Sequence, residues 1–115
     1  MTLQYRAGPT ILAAASLSAG INIATVDVLQ LVGILMPPAW DGDILTFQWS
    51  FDGATYYDVF DRDGKEVWFS VVPSTVVAAA TAYSFYVMPW MKFRSGPRSG
   101  PIPQTADRTF ATLVQ

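Results

Sequence analysis

Cysteine and histidine are both absent from this chain of 115 residues. The first absence excludes disulfides, thiolate metal sites and a cysteine nucleophile. The second removes the usual neutral-pH general base and the commonest metal ligand. Charge is scarce as well: seven basic and nine acidic residues make up 14% of the chain and leave a net charge of −2. No basic stripe marks a nucleic-acid binder. A water-facing domain carries about 25% charged residues, so 14% charged beside 51% apolar has to be accounted for. Either part of the surface is covered by other chains, or part of it meets a membrane.

The membrane alternative is weak. Residues 67–91 carry no charge and are long enough to span a bilayer. Pro73 and Pro89 interrupt them, however, and Ser70, Ser74, Thr75, Thr81 and Ser84 are scattered through them. That pattern is strand-like and unlike the apolar block of a membrane helix. Near the start, Arg6 followed by Ile11–Gly20 weakly imitates a signal peptide. The segment is read as mature protein. No membrane and no nucleic acid are expected as partners.

What is present is β-structure. In Leu45-Thr-Phe-Gln-Trp-Ser-Phe51, the residues Phe47, Trp49 and Phe51 share one side and Thr46, Gln48 and Ser50 the other. Asp52-Gly53 and Asp63-Gly64 punctuate this run and the two that follow, Tyr56–Asp61 and Lys65–Val71. Period-two alternation bounded by Asp-Gly predicts antiparallel hairpins. Further strands are predicted over Thr10–Ala14, Ser16–Ala24, Val26–Met36, Thr75–Ala78, Tyr86–Arg94 and Arg108–Val114, with a loop or single helical turn over Ala79–Phe85. Pro37-Pro38 ends the long apolar run, and Trp40 in the loop behind it is expected to cap the core. One domain follows from the length. The fold class is all-β: a single antiparallel β-sandwich, jelly-roll-like, of about eight strands. Residues 1–9 are expected to form an N-terminal arm, decoupled at Gly8-Pro9 from a sandwich over residues 10–115.

Chemistry is harder to find. Asp58, Asp61 and Asp63 lie close enough to suggest calcium, but the twelve-residue loop with its closing glutamate is missing. Asp41, Asp43, Asp52 and Glu66 supply carboxylates, yet no spacing sets two of them across a cleft as a glycosidase pair requires. The expectation is a protein that is no enzyme and holds no metal and no cofactor. The aromatics Trp40, Trp49, Trp68 and Trp90 serve core or interface before they serve ligands. Lys92 and Arg94 alternate onto one strand face, where they meet either solvent or the acidic residues of a neighbouring subunit. Tyr5, Arg6, Trp40, Trp90, Lys92 and Arg94 are the candidate interface residues.

Leu31-Val-Gly-Ile-Leu-Met-Pro-Pro-Ala-Trp40, Leu45-Thr-Phe-Gln-Trp-Ser-Phe-Asp-Gly53 and Tyr57-Asp-Val-Phe-Asp61, with Lys92-Phe-Arg-Ser-Gly96 and Gln104-Thr-Ala-Asp-Arg-Thr-Phe110, are together similar to small β proteins encoded in the structural gene clusters of tailed phages and prophages. The resemblance implies a structural virion protein, assembled in the host cytoplasm. It is expected to be a capsid decoration or cement protein whose partners are the major capsid protein and copies of itself. A tail or baseplate component is the variant of that reading. The stretch Phe47-Gln-Trp-Ser-Phe-Asp-Gly53 also resembles part of discoidin-type sugar-binding sandwiches, which keeps a glycan-binding module as the alternative. Trp40 is the aromatic that this alternative would place against the sugar.

Overall fold

A computed structural model of the chain describes residues 4–22, 31–78 and 89–115. These hold nine strands: β1 (Gln4–Ile11), β2 (Ile21–Asn22), β3 (Leu31–Leu35), β4 (Ile44–Ser50), β5 (Tyr57–Asp58), β6 (Trp68–Ser70), β7 (Val76–Ala78), β8 (Trp90–Ser95) and β9 (Arg108–Val114). They form two antiparallel sheets. One runs in the order β1-β9-β3-β7, and the other β2-β8-β4-β5, with β6 also paired to β4.

The connectivity is that of a jelly roll. β1 pairs with β9, β2 with β8, β3 with β7, and β4 with β5 and β6. The chain is thus one long antiparallel hairpin wrapped around a core. The wrap is closed by the pairings of β3 with β9 and β4 with β8. The expected sandwich and its jelly-roll form are therefore present.

The alternation in β4 decides which side is core. Leu45 and Phe47 are fully buried between the sheets. Phe47 meets Phe69 of β6 and Phe93 of β8 edge-to-face, with ring centroids 5.2 and 5.3 Å apart. Phe93 meets Phe110 of β9 at 5.1 Å, and Phe110 meets Trp40 at 5.4 Å. This file of T-shaped contacts crosses from one sheet to the other, in the geometry that the aromatic quadrupole favours. Ile11, Leu31, Ile34, Met91 and Val114 fill the space around it and are wholly buried.

Several boundaries differ from the sequence reading. Residues 4–9 are not an arm: they belong to β1 and pair with β9 through Gln4–Val114, Tyr5–Leu113, Arg6–Thr112 and Ala7–Ala111. Gly8-Pro9 is a break of another kind, since the register shifts there, between Ala7 and Thr10. Proline offers no ladder donor, so it sits at the bulge of this edge strand. The predicted Thr10–Ala14 strand stops at Ile11 because Ala14 turns with φ 67°. Of Ser16–Ala24, residues 16–22 are described, and among these only Ile21–Asn22 and a single bridge from Leu17 to Arg94 are paired. Tyr56–Asp61 and Lys65–Val71 shrink to β5 and β6. The predicted Ala79–Phe85 turn, and the parts of Val26–Met36 and Tyr86–Arg94 that precede β3 and β8, lie largely outside the described residues.

Both Asp-Gly turns are as read, with Gly53 at φ 79° and Gly64 at φ 78°. They differ in surroundings. A Cβ on Gly53 would stand 2.8 Å from the Trp90 ring, whereas one on Gly64 would meet nothing within 4 Å. Gly64→Ala should therefore cost only the left-handed backbone penalty, about 1 kcal/mol. Gly53→Ala should cost distinctly more, about 2 kcal/mol or above, because it also displaces an indole. Urea denaturation of the two variants checks the order, and equal midpoints would show that the Trp90 contact is unimportant.

Candidate functional site

The outer face of the β2-β8-β4-β5 sheet is polar because it receives the other half of the β4 alternation. Thr46 and Gln48 point there from β4, and Arg94 and Lys92 stand opposite them on β8. Arg94 is only 6% exposed. Its Nε donates to Thr46 Oγ1 at 2.9 Å, Nη1 to Asp58 Oδ1 at 2.7 Å and Nη2 to Glu66 Oε2 at 2.7 Å. The Thr46 hydroxyl in turn donates to the Gly96 carbonyl at 2.7 Å. Asp58 also accepts from Gln48 Nε2 and from Arg98 Nε, at 3.2 and 3.0 Å, and the Arg98 backbone N–H reaches both Glu66 oxygens at 3.1 Å. A buried guanidinium is thus matched by two carboxylates, which satisfies the requirement for keeping charge out of water.

Burial alone would raise the Asp58 carboxyl. The hydrogen bonds from Arg94, Arg98 and Gln48 and the charge of Arg94 outweigh it, and bring Asp58 from the ordinary 3.8 down to about 2. Asp41, in the loop before β4, is likewise held below its usual range. The Thr105 backbone N–H and hydroxyl do most of this against the opposing effect of burial, and Arg108 adds to it. There Gln104, 1% exposed, bonds the Asp41 backbone N–H and carbonyl and the Ser95 hydroxyl. It staples the Pro37-Pro38 loop to β8 and to the start of β9.

These contacts, and those of the turns, occupy several of the carboxylates. Asp58 is committed to arginines. Asp61 Oδ1 accepts the backbone N–H groups of Asp63 and Lys65, and Asp52 Oδ1 those of Ala54 and Thr55. Asp41 is tied to Thr105 and Arg108. Among the described residues, no group of three or more acidic side chains is arranged to hold a metal ion.

The candidate interface residues scatter. Trp40 is 9% exposed and packs on Phe110. It caps the core as expected, and is closed to a glycan or any outside partner. Arg94 is spent within its own chain, so it meets no neighbour's carboxylate. Lys92 lies over the Tyr56 ring at 4.3 Å. Trp90 is half-buried against Gly53. Arg6 is half-buried and donates to Gln4 Oε1 at 3.2 Å. Tyr5 alone among the six is well exposed, at 69%.

Tyr5 opens onto a feature that a one-strand-at-a-time reading misses. Residues paired across strands share a face. One cross-strand row of the β1-β9-β3-β7 sheet is Tyr5, Leu113, Gly33 and Ala78, and the next is Ala7, Ala111, Leu35 and Val76. Both rows lie on the outer face, with Leu35 and Val76 among the exposed large apolar side chains. Neither row contains a charge. At the end of the second row a depression of about 340 Å³ lies between Tyr5, Leu35, Pro37, Pro38 and Thr109. The opposite sheet carries its own exposed aromatics: Trp68 lines a cleft of about 420 Å³, and Tyr57 and Phe60 line a separate depression of about 220 Å³.

Comparison of the chain with family models, with curated proteins and with solved structures gives no match. Among the described residues, no helix is long and apolar enough to cross a membrane.

The Arg94 network makes acid stability testable. A carboxyl depressed in the fold stabilises it fully above the unfolded value of 3.8 and loses that contribution as pH falls through about 2. The shift corresponds to about 2 kcal/mol. Wild-type stability should fall between pH 4 and pH 2, and Asp58→Asn should flatten that part of the curve. Arg94→Met should cost about 3 kcal/mol or more at neutral pH, because it strands Glu66, whose side chain is 12% exposed. Thermal melts across pH measure both effects.

Proposed function

We propose that this chain is a non-catalytic assembly protein of a virion, a decoration or cement protein. It seats the outer face of the β1-β9-β3-β7 sheet on apolar surface of a shell built from the major capsid protein, beside further copies of itself. The observation that carries this reading is the pair of charge-free rows running from Tyr5 to Ala78 and from Ala7 to Val76. A solvated face of an antiparallel sheet normally alternates to polar residues. This one alternates to alanine, leucine, valine and glycine.

The mechanism is burial. Each 100 Å² of apolar surface removed from water contributes about 2.5 kcal/mol before the costs of association. A four-stranded face brings such area together without moving the backbone, and the depression beside Pro37-Pro38 receives a protruding apolar side chain. A ligand of the assembled shell that ignores free subunits stabilises the shell by mass action. Many copies on one lattice add to this through multivalency. The resemblance to small phage structural proteins supplies the particular setting, the virion assembled in the host cytoplasm. The low overall charge supports an interface-rich surface independently of that setting.

Deleting residues 1–9 would remove most of β1 and so is a poor test of attachment. Tyr5→Lys and Leu35→Lys are better, because both side chains are exposed and the fold tolerates them within about 1 kcal/mol. Wild-type protein should co-sediment with capsid shells that lack it and raise their rupture temperature. The double variant should melt close to wild type and lose occupancy at least tenfold. Undiminished occupancy would remove this face from the attachment, and density for the chain on the tail in cryo-electron microscopy of the particle would move its role there.

A further inference from the structure

We propose a second binding site, on the sheet opposite the assembly face: the cleft beside Trp68 takes an uncharged pyranose ring of a polysaccharide. Trp68 lies on β6, pairs with Thr46 and is 50% exposed, while its neighbour Phe69 is locked in the core. The indole therefore stands out from a rigid strand. The cleft around it is lined by Asp61, Lys65, Glu66, Trp68, Pro97 and Ser99 and measures about 420 Å³, within the range of roughly 300–1,000 Å³ of small-ligand sites.

The polar groups at its rim divide into two kinds. Glu66 is fixed, bonded to Arg94 Nη2 and to the Arg98 backbone N–H. It gives the cleft a wall that does not move. Asp61 uses Oδ1 on the turn amides, which leaves Oδ2 as an uncommitted acceptor. Among the described residues, the Lys65 ammonium and the Ser99 hydroxyl make no hydrogen bond or ion pair, and the exposed indole N–H makes none. A flat apolar ring is thus surrounded by one free acceptor, two free donors and a hydroxyl that can be either.

A pyranose matches this set. Its C–H face packs on an aromatic plane, and its hydroxyls each donate and accept at the edge. Phosphorylated ligands fit poorly, because Asp61 and Glu66 face the same space as the one lysine. A purely apolar peptide would bury Lys65 and Asp61 without partners, at a cost. Because the wall and the strand are preorganised, little ordering is lost on binding. The site is independent of the capsid reading: the two faces belong to different sheets, and either can fail without the other.

Intrinsic tryptophan fluorescence and native affinity electrophoresis, with dextran, cellohexaose, mannohexaose and galactan as neutral probes and polygalacturonate as the acidic one, test it. At least one neutral probe should bind the full chain at millimolar concentration or below. Trp68→Ala should weaken that binding at least tenfold, and Trp68→Phe, which keeps a ring, should weaken it less. Lys65→Ala combined with Ser99→Ala should weaken it several-fold, with melting unchanged because both side chains are exposed. Tyr5→Lys with Leu35→Lys should leave it unaltered. No binding of any neutral probe, binding of polygalacturonate alone, or wild-type affinity in Trp68→Ala would each overturn the proposal.

Discussion

The ion network around Arg94 holds one end of this fold together. β5 and β6 have only two and three residues, too few for ladder bonds to fix them against β4. The guanidinium supplies what they lack. It is carried on β8, bonds Thr46 on β4 and grips Asp58 on β5 and Glu66 just before β6. One side chain thus ties together β8, β4, β5 and the approach to β6. A buried pair of this kind adds little net energy compared with a well-packed apolar substitute. Its value lies in register: only one pairing of β4 with its short partners brings both carboxylates to the same guanidinium. That same register sets Trp68 outward and Phe69 inward.

The wrap of the chain and its core were legible because they rest on local signals. Alternation through Leu45–Ser50, glycines at the two Asp-Gly turns and the stop at Pro37-Pro38 each follow from backbone geometry, whereas Phe51, expected on the side of Phe47, lies past the end of β4 and is exposed. The short interval between punctuations gave the strand count. What was not legible depends on contacts distant in sequence. Residues 4–9 look like a lead-in, with arginine, glycine and proline, until β9 is placed beside them and Tyr5 finds Leu113. Arg94 looks like a solvated strand residue until Asp58 and Glu66, 36 and 28 positions away, close over it. Trp40, after a loop signal, suits either a core cap or a ligand contact, and its packing on Phe110 makes it the cap. Periodicity cannot tell a loop aromatic that faces inward from one that faces out. Trp68 carried the better signal, an alternation partner of Phe69, but only the burial of Phe69 shows which of the two is outside.

The shortage of charge has the same long-range character. Seven basic and nine acidic residues are unevenly placed. Asp58, Glu66, Lys92, Arg94 and Arg98 gather on one sheet. Asp41, Asp107 and Arg108 gather at the loops around Gln104, and Asp52, Asp61, Arg62, Asp63 and Lys65 lie in the turns. The two rows of the other sheet have none. Composition recorded a deficit, and the fold turns the deficit into a location. In a jelly roll each strand contributes to one sheet only, and successive strands mostly change sheet. A whole face can therefore be kept free of charge by the choice of residue at alternate positions in four separate strands. β1, β9, β3 and β7 all make that choice, although they stand far apart in the chain.

This arrangement separates the two surfaces physically. In the proposed function the uncharged face binds through area and is insensitive to salt, because there is little charge on it to screen. A cleft whose wall is set by an ion network gives selectivity through direction, because hydrogen bonds and stacking tolerate small displacements poorly. Jelly-roll topology places the two on opposite sides of one layer of core, with the Phe69-Phe47-Phe93-Phe110-Trp40 file between them. A contact on the β1-β9-β3-β7 sheet therefore leaves Trp68 pointing away from whatever covers that sheet. A subunit fixed to a shell by the one face would present the other to the medium.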